Sequence, residues 1–117
     1  MTRIALVIRK PKLRTAYRRG ADFERYVMAQ LCRMQPGSIV IRSAGSHSPV
    51  DLVWCAKGGG FPAGVQCKIG EGAMSAPQRQ AFALWCVGAG LVPLLATQQR
   101  GGFALEHVRE NGAVEPW

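Results

Sequence analysis

Two apolar stretches, Val50 to Ala56 (VDLVWCA) and Ala63 to Ile69 (AGVQCKI), flank the turn signal Lys57-Gly58-Gly59-Gly60. They read as two strands joined in a hairpin. Side chains of a strand alternate between faces, so Gln66 and Lys68 project to one side and Cys67 to the other. The hairpin can bring Asp51, near the start of the first stretch, beside that polar pair. A carboxylate, an amide oxygen and a lysine gathered on an apolar sheet suit a hard metal ion and a water. The same three residues in isolation also fit a loop-capping Asp51, a solvent-facing Gln66 and a Lys68 that ends an edge strand.

The surrounding chain supplies the rest of a layered fold. Phe23, Val27, Leu31 and Met34 recur at helical steps, and Pro36-Gly37 ends that pattern, so a helix is expected over about 18–34. Ser38 to Ser43 reads as a first strand, followed by the polar loop Ala44 to Pro49. After the third strand, Ser75 and Gln78 have the spacing of a capping box for a second helix. That helix runs through Phe82, Trp85 and Cys86 towards Gly88 or Gly90, which suit a C-terminal cap. Leu91 to Thr97 returns as a strand, with Pro93 suggesting an edge or irregular position. Arg100-Gly101-Gly102 turns into a last strand, Phe103 to Val108, and the tail from Arg109 to Trp117 has no assignable pattern. The expected class is α/β, a mixed sheet of about five strands flanked by helices in the order α-β-β-β-α-β-β. Residues 1–17 are expected as a basic N-terminal arm, with Ile4 to Ile8 able to form an edge strand, and 18–117 as one domain.

Charge points to a polyanionic partner. The net charge is +8 over 117 residues, and it is uneven. Arg3, Arg9, Lys10, Lys12, Arg14, Arg18, Arg19, Arg25, Arg33 and Arg42 crowd the first part of the chain, against only Asp22 and Glu24. Nucleic acid is favoured over a membrane, because phosphate contacts by Lys and Arg dominate such binding and no apolar-faced basic helix is evident. No apolar run approaches the ~20 residues of a membrane helix. The basic residues after Ile8 do not resemble a signal-peptide cleavage site, so a cytoplasmic location is expected, at the nucleoid or in a host if the chain is viral. Cys32, Cys55, Cys67 and Cys86 form no C-x-x-C pair and lie in apolar segments, so they are expected as buried thiols and not as a structural zinc site.

Glu24 adds a second carboxylate. It shares a helical stripe with Val27, Met28 and Leu31, on the edge of the core-facing side. A first-turn acid favoured by the helix dipole is the simple explanation. Beside Asp51 and Gln66-Cys67-Lys68 a functional one gains weight.

Four segments, in order, resemble the PD-(D/E)xK nuclease superfamily and within it the archaeal-type Holliday junction resolvases. They are Arg19-Gly20 with Phe23-Glu24-Arg25; Val40-Ile41-Arg42-Ser43-Ala44-Gly45-Ser46; Val50-Asp51-Leu52-Val53; and Val65-Gln66-Cys67-Lys68. The resemblance implies a restriction-endonuclease-like core and cleavage of DNA phosphodiesters with Mg²⁺, for which Mn²⁺ can substitute. It implies a homodimer that places two active sites on two strands of a four-way junction. Glu24 matches the helix-borne glutamate that supports the metal, and Asp51 the metal-ligating aspartate. Lys68 matches the lysine that orients the attacking water. Ser46 matches the serine of a mobile catalytic loop, with Ser43 and Ser48 as competitors. On this pattern the metal ligands are Asp51, Gln66, the backbone carbonyl of Cys67, and Glu24 directly or through water. Arg18, Arg19, Arg25, Arg42, Ser43 and His47 are the expected DNA contacts.

Position 66 departs from the family, which usually has an acid there. An amide oxygen can still ligate Mg²⁺ but brings no charge. The sequence therefore leaves other outcomes open: an endonuclease of the same superfamily cutting duplexes or flaps, a DNA-binding module without activity, or an RNA-binding or assembly protein acting through the basic arm.

Overall fold

The computed structural model describes residues 16–43, 48–58, 60, 62–69 and 73–117. Nearly all of the expected basic arm lies outside these, as do Ser46 and His47.

Helix α1 spans Ala16–Met34. Its apolar stripe is real: Phe23 is 5% exposed and Val27 and Leu31 are fully buried. Met34, the expected last member of the stripe, is instead 55% exposed. Gly37, at φ +89°, takes the left-handed conformation that turns the chain towards the sheet.

The sheet has six strands in sequential order: β1 (Ile39–Arg42), β2 (Leu52–Cys55), β3 (Ala63–Lys68), β4 (Val92–Gln99), β5 (Gly102–Val108) and β6 (Val114–Pro116). All neighbours are antiparallel except β3 and β4, which are parallel and joined by helix α2 (Ala76–Gly88). The mixed α/β architecture is the expected one, with a strand more than expected. The extra strand lies in the unassigned tail, where β6 pairs with β5 from Val108↔Val114 to Glu106↔Pro116. The intervening turn contains Asn111-Gly112, a hairpin dipeptide legible in the sequence. Gly112 sits at φ +90°, and the Asn111 side chain accepts the Ala113 N–H at 2.9 Å.

Strand β4 corrects the expectation for Pro93, because it is an interior strand. Proline is tolerated near its start for a local reason. Pro93 pairs with Gly64 on the β3 side, whereas the ladder to β5 begins only at Leu94↔His107. The missing N–H therefore costs no ladder bond.

Helix α2 begins and ends as its sequence specifies. Ser75 Oγ accepts from the Gln78 N–H, and Gln78 Oε1 accepts from the Ser75 N–H at 2.8 Å. At the far end Gly90, at φ +79°, closes the helix, with Leu91 N–H donating to Cys86 O and Gly90 N–H to Val87 O. That pair of bonds is the Schellman arrangement.

The two helices cover opposite faces of the sheet. On one face Phe23, Val27 and Leu31 of α1 meet Leu52, Trp54, Val65 and Leu94. On the other, Phe82, Ala83 and Cys86 of α2 meet Val50, Leu95 and Val108. Of the seven largest fully buried side chains, Leu31, Leu52, Leu94, Val27 and Val65 belong to the α1 side. Each contributes about 1.5–3 kcal/mol, so α1 is the more firmly seated helix and a rigid mount for Glu24. The cysteines differ from expectation, since only Cys86 is buried, Cys55 and Cys67 are half-buried, and Cys32 is exposed. No helix among the described residues is long and apolar enough to cross a membrane.

Candidate active site at the end of the sheet

Asp51 lies just before β2, not within it, yet its backbone continues both ladders. Its N–H donates to Val65 O and its carbonyl accepts from Ser43 N–H, each at 2.8 Å. These bonds fix the residue where β1, β2 and β3 end together. Its side chain then turns to β3, where Asp51 Oδ2 accepts the Cys67 N–H at 2.8 Å.

The parity of β3 arranges the neighbours. Val65 O faces β2, because it accepts from Asp51. Cys67, two residues on, presents its own N–H and carbonyl to the same side. The Cys67 carbonyl thus lies on Asp51's side of β3. Cys67 packs its side chain against the α1-side core. Gln66 and Lys68 take the opposite face, in register with Leu95 and Thr97 of β4. The site accordingly sits across the sheet's end, with Asp51 between two faces.

Glu24 reaches the same end from α1. It is held by Arg42, whose Nε donates to Glu24 Oε1 at 2.8 Å, with side chains only 17% and 19% exposed respectively. The sequence singled out Arg42 as a phosphate contact and did not foresee this partner. The signal was the alternation of β1, which puts Val40 and Arg42 on the α1 side. Arg18, Arg19 and Arg25 are exposed on α1, and Arg25 stands 4.0 Å from Asp22. Ser43 Oγ lies 3.3 Å from Ser48 Oγ, and the Ser48 hydroxyl donates to Val50 O at 3.1 Å. The two competitors for the loop serine are therefore adjacent, while Ser46 and His47 fall outside the described residues.

Glu24, Lys68 and Arg42 all act on the Asp51 carboxyl. Burial pushes the Asp51 carboxyl above its ordinary range. The Cys67 N–H pulls it back, Glu24 raises it further, and Lys68 and Arg42 lower it. The Cys67 thiol is pushed far up, by burial first and then by the carboxylates of Asp51 and Glu24. It stays protonated and is no thiolate ligand or nucleophile.

A hard divalent cation fits this donor set. The candidates are oxygens: two carboxylates, the Gln66 amide and the Cys67 carbonyl. Cys67 engages Oδ2 of Asp51, and Oδ1 has no partner among the described residues. A half-desolvated carboxylate next to a second one is a place where a cation relieves repulsion. Among the described residues no three His, Cys, Asp or Glu side chains converge as a ready-made cage, so any such ion would depend on Gln66 and the main chain. A cavity of 540 Å³ lined by Met34, Gln35, Trp54, Val92 and Trp117 lies at the other end of the sheet and takes no part in this cluster.

No protein-family model matches the sequence, and no curated protein matches it. Among solved structures the chain is similar to Archaeoglobus fulgidus Hjc, a Holliday junction resolvase from an archaeal hyperthermophile. The TM-score is 0.57 and the identity 22%, over 74% of this chain and 70% of that one. The fold, a six-strand mixed sheet between helices, is restriction-endonuclease-like.

Proposed function

We propose that this protein is a Mg²⁺-dependent endonuclease that resolves four-way DNA junctions by paired nicks, acting as a homodimer. Asp51 carries this reading. Its carboxylate is anchored by the Cys67 N–H and lies within electrostatic reach of Glu24 and Lys68, on a fold similar to that of a junction resolvase.

In this proposal Asp51, Gln66, the Cys67 carbonyl and Glu24 hold the ion. When bound, Mg²⁺ would supply Lewis acidity to the scissile phosphate and lower the pKa of a water. Lys68 orients the attacking water and offsets charge building on the phosphate. Arg42 holds Glu24 in place and offsets the charge of both carboxylates. The raised pKa of Asp51 couples ion binding to proton loss, so affinity for the ion falls as the pH drops towards the carboxylate range. The exposed arginines of α1 hold phosphates, which position DNA without reading its sequence.

Surface character supports a second copy of the chain as partner. Ile39 and Ile41 of β1, one edge of the described sheet, are 62% and 56% exposed, on the face opposite Val40 and Arg42. Leu84, Trp85 and Val87 of α2 are 50%, 43% and 47% exposed.

The test is cleavage of a labelled four-way junction beside a linear duplex of the same sequence, with and without Mg²⁺. Paired nicks confined to the junction and dependent on Mg²⁺ are expected. Equal cutting of the duplex would replace junction resolution by general endonuclease activity. Tight binding without any cutting would mark Gln66 as the sign of a binding protein on a nuclease fold.

A further inference from the structure

The β4–β5 hairpin projects past the candidate site. Strand β3 is paired with β4 as far as Lys68↔Thr97. Beyond that point, among the described residues, β4 and β5 continue as a pair through Gln98↔Phe103 and Gln99↔Gly102 to a two-residue turn at Arg100-Gly101. From Thr97 to Arg100 is three residues, so the tip stands about 10 Å beyond Lys68 at ~3.3 Å per residue. It lies at the same end of the sheet as Asp51, because Asp51 is bonded to the residue next to Lys68.

The composition of the tip suits one kind of partner. Gln98, Gln99, Arg100 and Gly101 are all exposed, and none is acidic. Arg100 has no ion-pair partner among the described residues, unlike Arg42 and Arg109, which are paired with Glu24 and Glu115. The hairpin's base is braced. Tyr26 of α1 meets Phe103 edge to face, with centroids 6.0 Å apart, and stacks on Phe23 at 6.4 Å. Its hydroxyl lies close to Gly102, where an added Cβ would meet it at 3.7 Å. Gly101, at φ +80°, closes the turn tightly. A free guanidinium at the end of a braced, acid-free finger is a phosphate contact in waiting.

We propose that the hairpin tip grips the DNA backbone through Arg100, flanked by the amides of Gln98 and Gln99. It would do so at a backbone phosphate outside the scissile one, on the side towards which the hairpin projects. This rests on the proposed nuclease reading and deepens it by assigning a contact outside the cluster of Asp51, Gln66 and Lys68. The contact is with backbone, so it adds affinity for any DNA and carries no base preference.

The experiment measures binding of labelled junction and duplex by fluorescence anisotropy in EDTA, over a salt series, for the wild type, Arg100→Ala, Arg100→Lys and Arg109→Ala. One phosphate contact contributes about 0.9 to the slope of log K against log salt. Arg100→Ala should lower the slope by about that amount. It should weaken binding about eightfold at 0.1 M salt, with the two proteins converging near 1 M. Arg100→Lys should keep the slope. Arg109→Ala, at the far end of β5, should leave it unchanged. An unchanged slope for Arg100→Ala in a protein that binds and cuts DNA overturns the hairpin proposal alone. Equal slope losses for Arg100→Ala and Arg109→Ala also overturn it, by showing a diffuse charge effect. A wild type that binds no DNA overturns both the hairpin proposal and the nuclease reading beneath it.

Discussion

Removing Arg42 should destabilise the protein in a pH-dependent way, because the residue offsets two carboxylates at once. Its Nε is 2.8 Å from Glu24 Oε1, and both side chains are less than a fifth exposed. Breaking a fully buried pair costs about 3–5 kcal/mol, and an exposed pair contributes about 0.2–1 kcal/mol. With this partial exposure, Arg42→Ala should cost about 2 kcal/mol, near the middle of the range for a hydrogen bond to a charged group. For a chain of this size that is roughly 8 °C in Tm, at about 4 °C per kcal/mol. The sign of the pH effect follows from Asp51. Its carboxyl is raised in the folded state, by burial first and then by Glu24, against the pull of Cys67, Lys68 and Arg42. A raised acid contributes stability that is full below its unfolded pKa and is lost as pH rises through the folded value. Taking Arg42 away raises Asp51 further, so the variant should lose more at pH 7 than at pH 4. Asp51→Asn in the Arg42→Ala background should recover part of the loss at pH 7, since it removes the ionised group and leaves an oxygen for the Cys67 N–H. Chemical denaturation of the wild type, Arg42→Ala and the double variant at both pH values is the assay. A loss below about 0.5 kcal/mol, the size of an exposed pair, or an equal loss at both pH values, would refute the electrostatic account of this sheet end.

Other consequences concern single positions. Gly64→Ala should cost about 1–3 kcal/mol by overpacking, because the new Cβ would fall 2.7 Å from Val50 Cγ1 and 3.1 Å from Cys86 Sγ; an unchanged denaturation midpoint would contradict the packing of α2 on β3. Ser75→Ala should cost about 1 kcal/mol through loss of the capping box, read the same way, whereas an unaltered Tm would mean that the cap contributes nothing. Gln66→Glu should lower the Mg²⁺ concentration for half-maximal cleavage, roughly tenfold if the added charge is worth about 1.4 kcal/mol, and should lower apo stability at neutral pH; a rise in the Mg²⁺ requirement would remove position 66 from the proposed ligand set.

The parts of the structure that were legible share a local cause. The Ser75 and Gln78 box, the glycine closure of α2 and the Phe23, Val27 and Leu31 stripe are written within a few residues of one another. The faces of Gln66, Cys67 and Lys68 follow from strand parity alone. What escaped depends on partners distant in sequence. Strand β6 is three residues with a glutamate and a proline, and only its pairing to Glu106, His107 and Val108 makes it a strand. Pro93 sits in an interior strand because β5 begins its ladder one residue later. Arg42 was expected only as a phosphate contact, and its pairing with Glu24 was not foreseen because that carboxylate lies eighteen residues away on another element. Met34 is exposed although it keeps the spacing of the stripe, whereas Cys32, one residue past Leu31, lies off the buried face as helical periodicity requires.

The most direct measurement is single-turnover cleavage of a four-way junction by Asp51→Asn beside the wild type in Mg²⁺, with junction affinity determined on the same samples. Cleavage reduced by at least about a thousandfold, or some 4 kcal/mol, with affinity within a few-fold of wild type is the expected result. Normal cutting by Asp51→Asn would place the chemistry elsewhere and contradict the assignment of the sheet end as the active site.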